Sequence, residues 1–493
     1  KVVLFKTMSG VGAYYRDKET IAASPRCRDV TGLTNGDACY YCIALRMNFL
    51  IIGSGGREHA LTWKLRESQL TGEIYCAPGN AGIAQEAECL PVDSSNPEAV
   101  LELANRVRAD LTVVGPEAPL AAGVVDVFEK AGRAIVGPTQ MAARFESSKI
   151  FAKCFMQRHG IPTARFAVPG DFDDAIKILA EFPPPLVIKA DGLAAGKGVV
   201  VARTRQEAEQ SLDNFMRRKT LGSAGERVVM EACLAGEELS FIVLTDGRAV
   251  LALPPSQDHK ALLDGDMGPN TGGMGAYSDD AILNENLRAS LMRRLVTPTL
   301  TGMAAEGIAY HGFLYFGVMV TQEGPMLLEY NVRLGDPEAQ PLLMRLRSDF
   351  AELLSASCDG TLAARDPHWS PNPAVCVVLA APGYPGKPQT GNVITGFDVA
   401  ETMGGVKVFH AGTVFENHQL VTRAGRVLGV TATAENLPAA VQRVYAAVAK
   451  IHFEGMQYRR DIASRHLRRQ LSSNPSQEPV EFHPQAHIPP KFL

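Results

Sequence analysis

Residues 327–338, LLEYNVRLGDPE, decide how this chain is read. On a strand, side chains two apart share a face, so Glu329, Asn331 and Arg333 are expected to point the same way. A carboxylate and an amide oxygen at that spacing suit a hard cation such as Mg²⁺, which accepts few protein ligands and keeps positions for phosphate oxygens and water. Arg333, one step further along that face, can clamp a transferring phosphoryl group. The bland alternative is an edge strand with a solvated polar face.

Upstream, the apolar run NFLIIG after Met47 leads into a glycine turn, GSGGRE, and a helix, HALTWKLRES. Strand and helix patterns then alternate to about Ser147, with later strands IYCA, LTVVG and AIVG, which predicts a parallel α/β layer. Such sheets bind ligands at the loops that follow their strands. Between Lys149 and Glu238 come a helix (IFAKCFMQRHG), strands PLVIKA and GVVVA, a helix over 205–218 and strand RVVMEA, a small lid-like α+β unit. Strands FIVLTDG, AVLAL and LYFGVMV follow, and a third sheet closes on the opening motif. A last module carries VCVVLAA, VKVFHAG, RVLGVTA and the amphipathic helix LPAAVQRVYAAVAKI.

The 493 residues exceed one ordinary core, and a span of ~100–200 residues per domain predicts three or four. A net charge of −4, with no basic run interleaved with aromatics, argues against a nucleic-acid partner. No apolar run approaches the ~18 residues that span a bilayer, so no membrane partner and a cytoplasmic location are expected. Nine scattered cysteines read as reduced core thiols. Cys39 and Cys42 form a CxxC without the second pair that a zinc site needs. Residues 1–46 read as an appended leader. The acids Asp17, Glu19, Asp29 and Asp37 disfavour the alternative, a transit peptide. Residues 471–493, rich in Pro and Ser, read as a disordered tail.

Two glycine loops need sorting. Gly53, Gly55 and Gly56 open a helix, but the last glycine of a dinucleotide fingerprint is replaced by Glu58, and no acid follows the second strand to hold a ribose. What survives is a helix N-terminus with free amides, able to hold one phosphate. The second loop, DGLAAGKGV at 191–199, has Asp191 and Gly198 where a P-loop needs Gly and Ser or Thr. It reads instead as a hairpin closing over phosphates, with backbone amides and Lys197 facing the anion. Lys189, inside the apolar strand LVIKA, needs an anionic partner unless it snorkels from the strand end.

Taken together these residues resemble the ATP-grasp ligases, and within them the phosphoribosylamine–glycine ligase family, from Met47 to about Leu467. The resembling segments include GSGGREHA at Gly53, APGNAG at Ala77, VVGPEAPL at Val113, SKIFAKCF at Ser148, VIKADGLAAGKGVVVA at Val187, SQDHK at Ser256, GPNTGGMGAYS at Gly268, EYNVRLGDPEAQ at Glu329 and VVLAAPGYP at Val377. The resemblance implies a multidomain α/β fold. Its parts are a parallel N-terminal domain (47–147), an ATP-grasp domain (148–372) with a lid at about 167–236, and a small β-rich C-terminal domain (373–470). It implies that ATP phosphorylates glycine and that the amine of 5-phosphoribosylamine attacks the glycyl phosphate, giving glycinamide ribonucleotide, ADP and phosphate. Mg²⁺ or Mn²⁺ would assist, and the protein would be a monomer or weak homodimer.

By the same likeness, Lys149 and Lys189 neutralise the ATP phosphates, and the loop with Gly192, Gly196, Lys197 and Gly198 covers them. Backbone groups around Glu231, Cys233 and Leu234 meet adenine, and Glu238 takes the ribose hydroxyls. Glu329 and Asn331 hold the metal, Arg333 stabilises the acyl phosphate and Asp336 orients an amine, so Arg333, Asp336 and Lys189 form the catalytic set. The phosphoribosyl side falls to Gly55, Gly56, Glu117, Asp258, Lys260 and the turn Asn270, Thr271, Gly272, Gly273, Met274, with Arg333 again in reach. His59 and His259, inside these motifs, read as structural. Departures from the family pattern fall at Ala232, where a second acid is usual, at Cys233, where an aromatic is usual, and at Ser147 and Leu334, and none removes a charged catalytic group. LYFGVMV lacks the metal acid common on that strand, which leaves a sparse shell for the cation. The rivals are another ATP-grasp carboxylate–amine ligase, with a biotin-dependent carboxylase as the sharpest form, and an inactive nucleotide-binding regulator.

Overall fold

From Phe49 onward MNFLIIG is apolar and buried because its strand lies in the middle of a sheet covered on both faces. That strand, β1 (Met47–Gly53), is followed by β2 (Thr71–Pro78), β3 (Glu88–Cys89), β4 (Leu111–Val114) and β5 (Ile135–Val136). All pair in parallel in the order β3-β2-β1-β4-β5. The order reverses between β1 and β4, so the turns after Gly53 and Val114 open into one crevice. The computed structural model describes residues 46–193 and 198–473. Expectations for the leader, the last twenty residues, Gly196 and Lys197 fall outside it.

The lid-like unit is an antiparallel sheet of β6 (Phe166–Ala167), β7 (Leu186–Ala190), β8 (Val199–Ala202) and β9 (Val228–Ala232), in the order β6-β9-β7-β8. Leu186, Ile188 and Met230 from its strands bury against Leu212 and Phe215. The helix expected over 205–218 holds α geometry over Arg205–Leu212 and widens into a π turn at Asp213–Arg217. A further helix, Phe172–Ile178, went unread; Asp171 caps it by accepting from Asp174 N at 2.8 Å.

The remaining strands are β10 (Glu237–Thr245), β11 (Val250–Ala252), β12 (Ser256–Asp258), β13 (Ala261–Leu263), β14 (Met267–Asn270), β15 (Gly275–Ser278), β16 (Gly312–Thr321), β17 (Gly324–Asn331), β18 (Ala374–Ala380), β19 (Val406–His410), β20 (Thr413–Glu416), β21 (Gln419–Thr422) and β22 (Arg426–Thr433). One path, β17-β16-β10-β12-β15-β18-β22-β19, joins the central strands to the C-terminal ones. The C-terminal strands therefore extend the central sheet. The joint is the β15–β18 pair, where a side chain on Gly275 would come within 2.7 Å of Cys376 O and 2.6 Å of Ile462 Cδ1. Helix Leu437–Val448 covers β18 and β22 through Val441, Val444 and Val448. The final helix, Ser464–Ser473, runs three residues into the expected tail, with Leu467 in the core and Arg468 bonded back to Ser464. Among the described residues no helix is long and apolar enough to cross a membrane.

The two histidines read as structural make backbone contacts. His59 Nδ1 accepts from His410 N at 2.7 Å, and His259 Nε2 from Ala463 N at 3.3 Å. Burial, reinforced by Arg459, pushes His259 down to about 3; burial, reinforced by His59, does the same to His410. Both are neutral when folded and take a proton when unfolded below their ordinary value of 6.5. Their contribution to stability is complete above that pH and is lost as pH falls toward 3, at up to about 1.4 kcal/mol per pH unit each. Denaturant unfolding between pH 7 and 5 should show falling stability, with a shallower slope in His410→Asn. An unchanged slope in the variant contradicts this assignment.

Candidate active site

The opening motif lies on β17, the edge strand, paired to β16. Gly317 sits opposite Glu329, and a Cβ there would come 3.1 Å from Glu329 Cγ, so the glycine makes room for the acid. A bulge at Leu328 interrupts the register and turns its carbonyl to Lys189 Nζ, 3.0 Å away. The strand ends at Asn331, so Arg333 does not lie on it as the alternation rule expected. Arg333 Nη2 nevertheless returns to Asn331 Oδ1 at 3.3 Å, and the three residues remain one group.

Glu329 is 27 % exposed and faces three lysines. Burial would raise its carboxyl, but Lys260, Lys189 and Lys149 outweigh it and hold the group at about 2. Lys260 Nζ stands 3.3 Å from Glu329 Oε1 and also pairs with Glu238. Lys260, expected among the phosphoribosyl contacts, bridges the ribose and metal candidates here, because two neighbouring carboxylates require a cation between them. Among the described residues no cluster of three His, Cys, Asp or Glu side chains could cage a metal. An ionised carboxylate beside an amide oxygen does fit a hard cation that arrives with its own phosphate ligands.

Behind this end lies a buried triad. Glu231, 1 % exposed, has Lys189 Nζ 3.0 Å from Oε1 and Lys153 Nζ 2.9 Å from Oε2. Lys153 also donates to Thr163 Oγ1 at 2.7 Å, and that hydroxyl to Leu327 O at 2.6 Å. Burial, then repulsion from Lys189, brings Lys153 down to about 8, and burial lowers Lys149 although Glu329 opposes it. Helix Lys149–Arg158 is capped by Ser148, whose hydroxyl donates to Asp191 Oδ1 at 2.9 Å, as does Ile150 N at 2.8 Å. Asp191, which broke the P-loop pattern, thus ties the hairpin stem to this helix. Gly192 and Gly198 stand in that stem, Gly192 too close to Ala224 for any side chain and Gly198 accepting from Ala190 N at 2.8 Å. Cys233 and Leu234 follow β9 in the link to β10.

On the other flank, Arg333 Nη2 meets Glu146 Oε1 at 2.5 Å and Arg333 Nε meets Glu117 Oε2 at 3.4 Å. Burial raises Glu146 to about 7 in spite of Arg333, whereas Arg333 and Arg57 lower Glu117 against its burial. Arg57 reaches Leu334 O at 3.0 Å and pairs with Glu58 at 2.6 Å. Glu58 Oε2 accepts from Gly55 N at 2.5 Å. That amide, expected to be free for a phosphate, is therefore already spent in capping the helix.

Asp336 accepts from Gln340 at 2.8 Å and from Arg426 at 2.9 Å. The Gly55–Gly56 turn lies over this pair, since a Cβ on Gly56 would come 2.6 Å from Gln340 Nε2. In the turn after Asn270, Thr271 Oγ1 donates to Lys260 O at 2.8 Å, Gly272 N to Tyr384 OH at 3.0 Å and Met274 N to His259 O at 2.8 Å. Asp258 Oδ1 is buried without a hydrogen bond, and burial with nearby Glu338 pushes its carboxyl well above the usual range. The expected residues that are described thus gather where the three layers meet. Lys153, Glu146 and Arg426 were missed. Lys153 had a cue, one helical turn after Lys149 on the same face.

Residues 47–146, 147–339 and 374–465 match family models described as the N domain, the ATP-grasp (A) domain and the C domain of phosphoribosylglycinamide synthetase. Phosphoribosylamine–glycine ligase of Ralstonia nicotianae is 50 % identical over 424 residues, 86 % of this chain and 100 % of that protein. The chain belongs to the phosphoribosylglycinamide synthetase family. Another member, phosphoribosylamine–glycine ligase of Neisseria meningitidis, is 49 % identical over 86 % of this chain and 100 % of its own. The crystal structure of phosphoribosylamine–glycine ligase from Thermotoga maritima superposes with a TM-score of 0.72 at 35 % identity, covering 84 % of this chain and 100 % of that one. Biotin carboxylase of Campylobacter jejuni, at 15 % identity, a TM-score of 0.64 and coverage of 88 % and 98 %, shares the fold alone.

Within the family site, Gly273 is held at φ +112°, and a Cβ would come 2.5 Å from Pro337 Cδ and 2.9 Å from Asp258 Oδ1. Gly273→Ala is expected to cost at least ~1–3 kcal/mol in denaturant unfolding from backbone strain alone. A variant as stable as the parent contradicts the placement of this turn.

Proposed function

We infer that this chain is an ATP-dependent ligase that joins glycine to 5-phosphoribosylamine. The observation that carries the reading is the convergence of Lys149, Lys189 and Lys260 on Glu329, with Asn331 and Arg333 beside it, in a chain half identical to phosphoribosylamine–glycine ligases over their whole length. A regulator without turnover has no use for that arrangement.

In this reading Lys149 and Lys189 face the ATP phosphates. Backbone groups from Glu231 to Leu234 meet adenine. Glu238 takes the ribose hydroxyls. Glu329 and Asn331 hold Mg²⁺ or Mn²⁺, which supplies charge that offsets the negative charge building on the phosphoryl group. A glycine carboxylate oxygen attacks the terminal phosphorus, the bond to ADP breaks, and Arg333 neutralises the glycyl phosphate. The amine of phosphoribosylamine, oriented by Asp336 and held by Gly56, Glu117, Asp258, Lys260 and the 270–274 turn, attacks the acyl carbon. Phosphate leaves, and the nitrogen loses its proton to solvent. No general base is required, because a free amine is nucleophilic and acyl phosphate is a good leaving group; positioning and charge supply the rate. The work divides among an N-terminal domain (47–147), an ATP-grasp domain (148–372) with its lid and a C-terminal domain (373–470).

ADP release should require glycine, divalent metal and phosphoribosylamine together. Release supported by bicarbonate or another acid in place of glycine contradicts the substrate assignment. In the same assay Arg333→Ala should lower kcat roughly 10²–10³-fold with ATP binding kept, as for loss of a transition-state donor. An unchanged kcat rejects that role.

A further inference from the structure

The mechanism above makes no use of Lys153, yet this lysine is 2 % exposed and set against the same carboxylate as a nucleotide-facing lysine. A buried ammonium is costly and persists only where it is paired. Here Glu231 has one oxygen toward each lysine, and Leu328 O takes a hydrogen of Lys189. Two ammoniums around one carboxylate leave one net positive charge. Without Lys153 the sum is zero, and Glu231 would bind Lys189 as a simple pair. Lys153 also reaches β17 through Thr163, whose hydroxyl donates to the carbonyl two residues before Glu329.

We propose that Lys153 is a positioning residue for the nucleotide: by sharing the Glu231 carboxylate it leaves Lys189 free to turn from that acid to a phosphate of ATP. This rests on the nucleotide-binding part of the function proposed above. Lys153 touches neither nucleotide nor reacting atoms and acts through Glu231 and Lys189. The ATP site is thus built with a surplus cation behind it, and neutralising Glu231 removes the need for that cation.

The test is calorimetric binding of ATP to the whole chain, with thermal unfolding as a check on folding. Lys153→Met should weaken ATP about tenfold or more and raise the ATP KM in step, with kcat within about threefold, and Lys153→Arg should restore most of the affinity. In a double-mutant cycle, Lys153→Met with Glu231→Gln should bind within about threefold of Glu231→Gln alone, because Lys189 no longer faces a competing charge. Should Lys153→Met fail to fold, that last comparison still decides. A further tenfold loss in the double variant, or a folded Lys153→Met with parental affinity, overturns the proposal. Failure of the parent chain to bind ATP would instead overturn the ligase reading itself.

Discussion

A carboxylate at the end of β17 is kept ionised by lysines from three separate elements, and the site is organised around that balance. Glu329 alone in this setting would take up a proton; Lys260, Lys189 and Lys149 hold its carboxyl at about 2. Two of these lysines are in turn constrained by another acid or carbonyl: Lys260 by Glu238, and Lys189 by Glu231 and Leu328 O. The result is a preorganised cationic bed with one metal-capable acid at its centre. Such a bed gathers the positive charge that a polyphosphate needs.

Bringing those elements together depends on close backbone approaches. Gly275 lets β15 lie against β18, so the C-terminal strands continue the central sheet and Arg426 reaches Asp336. Gly53 and Gly115 leave space for the Glu58 side chain under the first helix turn, with clearances of 2.5 Å and 2.0 Å that no Cβ could occupy. Through Glu58 and Arg57 the parallel layer grips Leu334 O, just past the end of β17. Lid, N-terminal layer and C-terminal strands thus each fix one side of the residues between Glu329 and Asp336.

Much of this was legible in the sequence because strand alternation is local. Glu329 and Asn331 share a face as the spacing predicts, and the apolar run around Lys189 signalled a buried cation with an anionic partner. Arg333 was placed with them correctly in space but on a strand that ends two residues earlier. What stayed hidden is long-range. Arg426 lies 90 residues from Asp336, and Glu146 lies 187 from Arg333, so no periodicity links them. Glu231 was read for its backbone, whereas its side chain is the acid that Lys189 demanded. The amide of Gly55 looked free only because the reach of Glu58 back to it depends on the capping geometry.

A crystal structure of the chain with Mg²⁺, a non-hydrolysable ATP analogue and glycine tests the central claim most directly. The account predicts a metal about 2.0–2.1 Å from oxygens of both Glu329 and Asn331, bridging to the terminal phosphates, with the Lys260 ammonium withdrawn from Glu329. A triphosphate seated away from those two side chains, or a metal held without either of them, contradicts it.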